Sequence, residues 1–222
     1  RFMLPPALLA LARKGAYNMH GSLLPKYRGR VPINWAIIHG ERDTGATLHE
    51  MVAKPDAGGI IDQQAVPILI NDTALDVFRK ATVASEMVLL RALPSLLNGT
   101  AKPRPQDLSA GSYFSGRKPE DGRIDFSWGA QRIHNLVRAV APPYPGAFCE
   151  VNGKRLALLG TMYGVRPPRH AGSPQLLVDD DELFLKCSDG HLLKVTRAEF
   201  DGQALTVSSL RQSSATGTLM LA

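Results

Sequence analysis

Apolar residues along this 222-residue chain recur with two periods, and the change from one to the other divides it. In the first half, Val77, Ala81, Ala84, Val88 and Leu89 fall at the three-and-four spacing of one helix face. Thr73 with Asp76 makes a capping-box-like start for that helix, and Gly99 stops it. Shorter apolar-rich runs over 16–20, 44–52 and 60–68 predict strands, and 6–14 predicts a short helix ended by Gly15. Pro32 suits a first helical turn, so 33–39 reads as a helix closed by Gly40. After a helix predicted over 128–141, with Ser127 as its candidate cap, the pattern turns β-rich. Asn152-Gly153 and Ser188-Asp189-Gly190 each separate two apolar runs and predict tight hairpins. Short strands with regular turns suggest a small barrel or sandwich.

Residues 1–105 therefore form one expected domain and 119–222 another. Residues 106–118 join them, preceded by Pro103 and Pro105. Hydrophobic residues make up 44% and charged residues 21%, the balance of an ordinary globular protein. The longest apolar run falls well short of the roughly 18 residues of a membrane span, and a cytoplasmic setting is expected. Cys149 and Cys187 lack zinc or redox spacing and read as buried thiols. The net charge of +6 is compatible equally with an anionic partner and with a basic surface that binds nothing.

The chemistry concentrates in Asn18-Met19-His20-Gly21-Ser22-Leu23-Leu24-Pro25 and in the loop Lys54-Pro55-Asp56-Ala57-Gly58-Gly59. Asn18 and His20, two apart on a strand, point to one face. A carboxamide, an imidazole and a carboxylate suit attack of an amine on a carbonyl. That reaction needs a donor for the developing oxyanion, a proton carrier, and a group to orient and charge-balance it. Taken singly, each has a plainer role: a strand-end amide, a structural histidine, a turn aspartate. His39, His49, His134, His170 and His191 show no paired ligand spacing, so no metal is expected and structural or surface roles are favoured.

The Asn-x-His pair, Ser-Leu-Leu-Pro, a glycine and an aspartate in a tight loop together resemble the signature of the folate-dependent formyltransferases. The likeness runs along essentially the whole chain. It is greatest to the branch acting on UDP-4-amino-4-deoxy-L-arabinose, through Arg30-Val31-Pro32-Ile33-Asn34-Trp35 and residues 138–148. The resemblance implies an α/β, Rossmann-like formyltransferase domain followed by a small β-rich, oligonucleotide-binding-like barrel. Family members have several strands ahead of this region, and the chain starts at Arg1, so it reads as N-terminally incomplete. By resemblance, Asn18, His20 and Asp56 are catalytic. Met3, Leu4, Pro5, Ala53, Lys54 and Pro55 line the 10-formyltetrahydrofolate slot. Arg30, Asn34 and Trp35 meet the sugar nucleotide.

The implied reaction is formylation of the 4-amine of UDP-4-amino-4-deoxy-L-arabinose, in the setting of lipid A modification and polymyxin resistance. Some members carry a fused NAD-dependent decarboxylase. The expected partners are the sugar nucleotide and folate, without nucleic acid or membrane insertion, and a homo-oligomer is compatible. Methionyl-tRNA formylation is the alternative; acidic residues at 179–182 and the lack of an aromatic-basic stripe weigh against it. From another class, an inactive fragment serving only as a binding module is the remaining reading.

Overall fold

The structure, a computed structural model, describes residues 4–214 and 216–221. They fall into two compact units. The first comprises Arg1–Ala36, Glu41–Ile68 and Asp76–Arg117, and the second Ile37–Gly40, Leu69–Leu75 and Lys118–Ala222.

The first unit begins with α1 (Pro6–Leu9), shorter than the 6–14 expected, followed by β1 (Tyr17–His20) and β2 (Arg28–Gly29). Next come α2 (Pro32–Ile38), whose last two residues group with the second unit, β3 (Asp43–Glu50) and β4 (Ile60–Pro67). Then α3 (Ala74–Leu97) and β5 (Tyr113–Phe114) follow. Strands β1, β3 and β4 form an antiparallel sheet with β3 in the middle. Leu48 of β3 packs with Val88 and Ala92 of α3, flanked by Tyr17, Met19, Ile61 and Leu96. Of the helical stripe read from the sequence, Val77, Ala81, Ala84 and Val88 are buried, whereas Leu89 is exposed.

Central strand β3 is buried from Thr44 to His49, so its polar side chains need internal partners. Thr47 Oγ1 donates to Ser22 O (2.6 Å) and accepts from Leu24 N (3.1 Å) and Gln63 Nε2 (2.8 Å). One hydroxyl therefore ties the loop after β1 to the sheet. The proline-bearing stretch ahead of the expected 106–118 linker is tied to the sheet. Ile60 and Arg104 exchange backbone hydrogen bonds at 2.8 Å in both directions, fixing this segment along the edge of β4.

The second unit holds α4 (Ala130–Ala139), β6 (Ala147–Val151), β7 (Lys154–Met162), β8 (Gln175–Asp179) and β9 (Glu182–Lys186). It continues with β10 (Leu192–Phe200), β11 (Gln203–Ala204), α5 (Val207–Ser213) and β12 (Thr218–Met220). Its strands run β12-β8-β9-β10-β7-β6 in one open antiparallel sheet, with β11 on β10. Both expected hairpins are present. Asn152 (φ 52°) and Gly153 (φ 73°) have the paired left-handed backbone of a tight turn. Asp180 (φ 47°) and Asp181 (φ 56°) do the same between β8 and β9, so the acidic run at 179–182 is a hairpin tip.

Helix α4 starts at Ala130, and its cap is not Ser127. Asp189 Oδ2 accepts from Ala130 N at 2.7 Å, so a residue distant in sequence terminates the helix. Cys149 and Cys187 are free and buried. Burial pushes their thiols up to about 11 and about 12. Arg138 is buried with its guanidinium on Asn135 Oδ1, Leu69 O and Asp72 O.

His134 is fully buried, with Nε2 2.9 Å from Ile70 O and Nδ1 2.8 Å from Thr161 Oγ1. A carbonyl only accepts, so Nε2 carries the hydrogen and Nδ1 accepts from the threonine. Burial is the main force pushing this imidazole down, to about 4. Its folded value lies below the unfolded one near 6.5, so stability is whole above pH 6.5 and is lost as pH falls towards about 4. The expected slope approaches about 1.4 kcal/mol per pH unit in that window. Urea unfolding of the parent and His134→Gln at pH 7 and pH 5 should show a smaller acid loss in the variant.

Candidate active site

β1 delivers Asn18 and His20 at the end of a strand whose register is set by β3: Asn18 lies opposite His49, and His20 opposite Thr47. His20 is buried, and its Nε2 lies 2.8 Å from Tyr27 O. Since that carbonyl can only accept, the neutral ring carries its hydrogen on Nε2 and turns the Nδ1 lone pair towards Asp56 Oδ1, 3.7 Å away. Burial is the largest influence on His20 and lowers its pKa; the Asp56 charge opposes this. The ring is therefore poised as a neutral proton acceptor.

Asp56 adopts a left-handed backbone (φ 50°), rare for a residue bearing a Cβ. Three contacts hold it there. Gly29 N donates to Oδ2 at 2.8 Å, and Gln106 Nε2 donates to Asp56 O at 3.1 Å and to Gly58 O at 2.6 Å. Gly58 is obligatory, since a Cβ there would lie 2.0 Å from Glu50 O. The other carboxylate oxygen, Oδ1, lies 3.5 Å from His49 Nε2 as well as near His20. Burial raises the Asp56 pKa, but the His49 hydrogen bond, the His20 imidazole and the Gly29 N–H outweigh it and hold the carboxyl below its ordinary value. Asn18 Nδ2 lies 3.3 Å from His49 Nε2. Asn18, His20 and Asp56 thus converge, with His49 completing the cluster.

The remaining expected residues are distributed differently. Met3 lies outside the described residues. Leu4 and Pro5 are exposed at the start of α1, and Ala53 and Lys54 are exposed, with Pro55 half-buried, in the loop leading to Asp56. Arg30 follows the glycine that binds Asp56, exposes its side chain, and donates its backbone N–H to Phe114 O at 2.9 Å. Asn34 is buried in α2. Trp35 is the centre of a ladder: Arg117 lies 4.7 Å above its ring, Phe114 stacks at 4.9 Å, and Tyr27 stacks on Phe114 at 5.4 Å. Its Nε1 donates to Ser115 O at 3.1 Å, which ties α2 to the chain just after β5. Arg28 turns inward, with Nη2 3.4 Å from Leu108 O.

Sequence reasoning missed His49, Gln106, the Tyr27 carbonyl and the Gly29 N–H. The signal for His49 was available only through the pairing of two strands that looked independent. None existed for Gln106, which sits in apparent linker. Among the described residues, no group of three or more His, Cys, Asp or Glu side chains is suited to hold a metal.

Residues 2–93 match the family described as formyl transferase, and residues 117–214 match formyl transferase, C-terminal domain. The chain belongs to the formyltransferase family. Among solved structures similar to the chain is the N-formyltransferase from Helicobacter canadensis, in complex with folinic acid and dTDP-3-aminofucose. It is 26% identical with a TM-score of 0.66, over 85% of this chain and 66% of that one. WlaRD, a sugar 3N-formyltransferase solved with dTDP and 5-N-formyltetrahydrofolate, is 25% identical with a TM-score of 0.67, over 85% and 65%. A 4-N formyltransferase from Francisella tularensis is 25% identical with a TM-score of 0.60, over 67% and 61%. The chain spans about two thirds of the length of the first two.

In this chain the Asp56 charge supports protonation of His20 against burial. Asp56→Asn keeps an oxygen for the Gly29 N–H and removes that charge. The His20 imidazole should therefore titrate lower still in the variant, measured by NMR of ring protons against pH. An unchanged or higher value would contradict the assigned geometry.

Proposed function

We propose that the chain transfers a formyl group from 10-formyltetrahydrofolate to the primary amine of a nucleotide-activated amino sugar. The observation that carries this reading is the convergence of Asn18, His20 and Asp56 within a chain of this family. The folate supplies an activated formyl carbon. A bond forms between the amine nitrogen and that carbon, the carbon's bond to the folate nitrogen breaks, and one proton passes from the amine to that nitrogen.

The chain's residues meet each demand of this exchange. Asn18 offers an amide hydrogen to the oxygen on which negative charge develops. His20, with Nε2 committed to Tyr27 O, exchanges the proton at Nδ1. Asp56 fixes the direction of that atom and balances the charge that the ring gains. Ala53, Lys54 and Pro55, with Leu4 and Pro5, form the folate slot, a role consistent with the folate compounds bound to the Helicobacter enzyme and WlaRD. Arg30 and Asn34 recognise the sugar nucleotide, and Trp35 holds their element in place through its stack.

For the acceptor we retain the 4-amine of UDP-4-amino-4-deoxy-L-arabinose, on the strength of the Arg30 to Trp35 motif. The test incubates the intact protein with 10-formyltetrahydrofolate and either this compound, a dTDP-3-amino sugar or charged initiator tRNA. Mass spectrometry then follows the formylated product. Formylation of the UDP sugar is expected, with Asn18→Ala slower by about 10²–10³-fold in kcat. Product only from the dTDP sugar would refute the acceptor, and product only from tRNA would refute the sugar reading altogether.

A further inference from the structure

We propose that Glu41 and Ser112 are positioning residues of this site. By holding Tyr27 from two sides they keep its carbonyl on His20 Nε2, and so leave Nδ1 as the atom that exchanges the proton. The inference rests on the formyl-transfer reading and deepens it.

A neutral imidazole has one N–H hydrogen, and two acceptors stand around His20. Asp56 Oδ1 is the stronger of them, since a carboxylate binds an N–H about twice as strongly as a neutral oxygen does. Left to itself, the ring would give its hydrogen to the carboxylate and turn its lone pair away from it. Distance reverses that preference. Tyr27 O lies 2.8 Å from Nε2, a full hydrogen bond, whereas Asp56 Oδ1 lies 3.7 Å from Nδ1, beyond one. Where the Tyr27 carbonyl is held therefore decides which nitrogen of His20 carries the hydrogen.

Local preference does not hold it. Tyr27 has a left-handed backbone (φ 57°), rare for a residue bearing a Cβ. Such a conformation persists only where its surroundings over-determine it. Ser112 Oγ accepts from Tyr27 N at 2.9 Å, and Glu41 Oε1 accepts from the phenol hydroxyl at 2.9 Å. The two anchors grip opposite ends of the residue, and both are fixed by their own backbones. Glu41 N donates to Ala36 O at 3.0 Å. Ser112 N donates to Pro25 O at 3.3 Å, and Ser112 O accepts from Arg28 N at 2.9 Å. Burial and the Glu41 carboxylate push the Tyr27 phenol well above its ordinary pKa, so the hydroxyl stays a donor. Glu41 also meets Lys26 Nζ at 3.4 Å, an exposed pair that contributes little. Both residues thus act on His20 through Tyr27.

Two measurements decide the matter. Long-range proton–nitrogen NMR of histidine-labelled protein, in mildly alkaline solution, reads which ring nitrogen carries the hydrogen. The His20 signals are those lost in His20→Gln. The parent should show the hydrogen on Nε2, and Glu41→Ala and Ser112→Ala should each move part of the population to Nδ1. A parent with the hydrogen on Nδ1, or variants with the parent's pattern, would overturn the proposal. This readout needs no turnover, so it stands apart from failure of the formyl-transfer reading. In kinetics, Glu41→Ala should lower kcat about tenfold with both KM values within about twofold. Glu41→Gln, which keeps an acceptor for the Tyr27 hydroxyl, should recover most of that loss. Tyr27→Phe keeps the ring and removes the hydroxyl; in its background Glu41→Ala should cost nothing more. Losses that multiply across these two positions would show that Glu41 acts by another route, and would overturn its assignment.

Discussion

The antiparallel pairing of β1 with β3 is the constraint on which the rest of the site depends. Side chains on a strand alternate between faces, so a slip of one residue would send Asn18 and His20 to the opposite side of the sheet. The register is protected by buried polar groups more than by apolar packing. Thr47 sits in the middle of β3 with no access to water, and its hydroxyl is satisfied only when Ser22 O, Leu24 N and Gln63 Nε2 all reach it. Any other register would strand those groups without partners, at about 1–3 kcal/mol for each one left unmade. The same bonds shape the loop that follows His20 and bring the Tyr27 carbonyl onto its ring.

The second requirement is an aspartate held in an unfavourable backbone conformation. A left-handed φ at Asp56 persists because its surroundings over-determine it: Gly29 holds the carboxylate, Gln106 holds the carbonyl, and Gly58 lets the next turn press against β3. Conformational strain at this position is the counterpart of a carboxylate aimed at two imidazoles at once. Half-buried surroundings strengthen each of these polar contacts and raise the cost of losing any one of them.

What could be read from the sequence follows from how local each cause is. The Asn152-Gly153 hairpin and the helix after Thr73 were legible, because turn chemistry and periodicity act over a few residues. The triad was legible as well, since its members belong to two compact motifs. His49 was not, because its partners are brought to it by strand pairing, and a histidine within a strand carries no mark of what faces it. Asp189 as the cap of α4 escaped for the same reason, and Ser127, the obvious local candidate, has its backbone N–H engaged by Asp125 instead. Trp35 was legible as important and opaque as to why, because its stack on Phe114 joins residues far apart along the chain.

The bonds from Arg104 to Ile60 and from Gln106 to the Asp56 loop alter how the molecule can be taken apart. A proline-bearing stretch after a long helix invites the experimenter to cut there and call what precedes it a complete catalytic piece. A fragment ending at residue 105 would keep every residue of the signature yet lose the clamp that sets the angle of its carboxylate. The covalent boundary and the functional boundary of the first unit are different places, and the latter lies on the far side of Gln106.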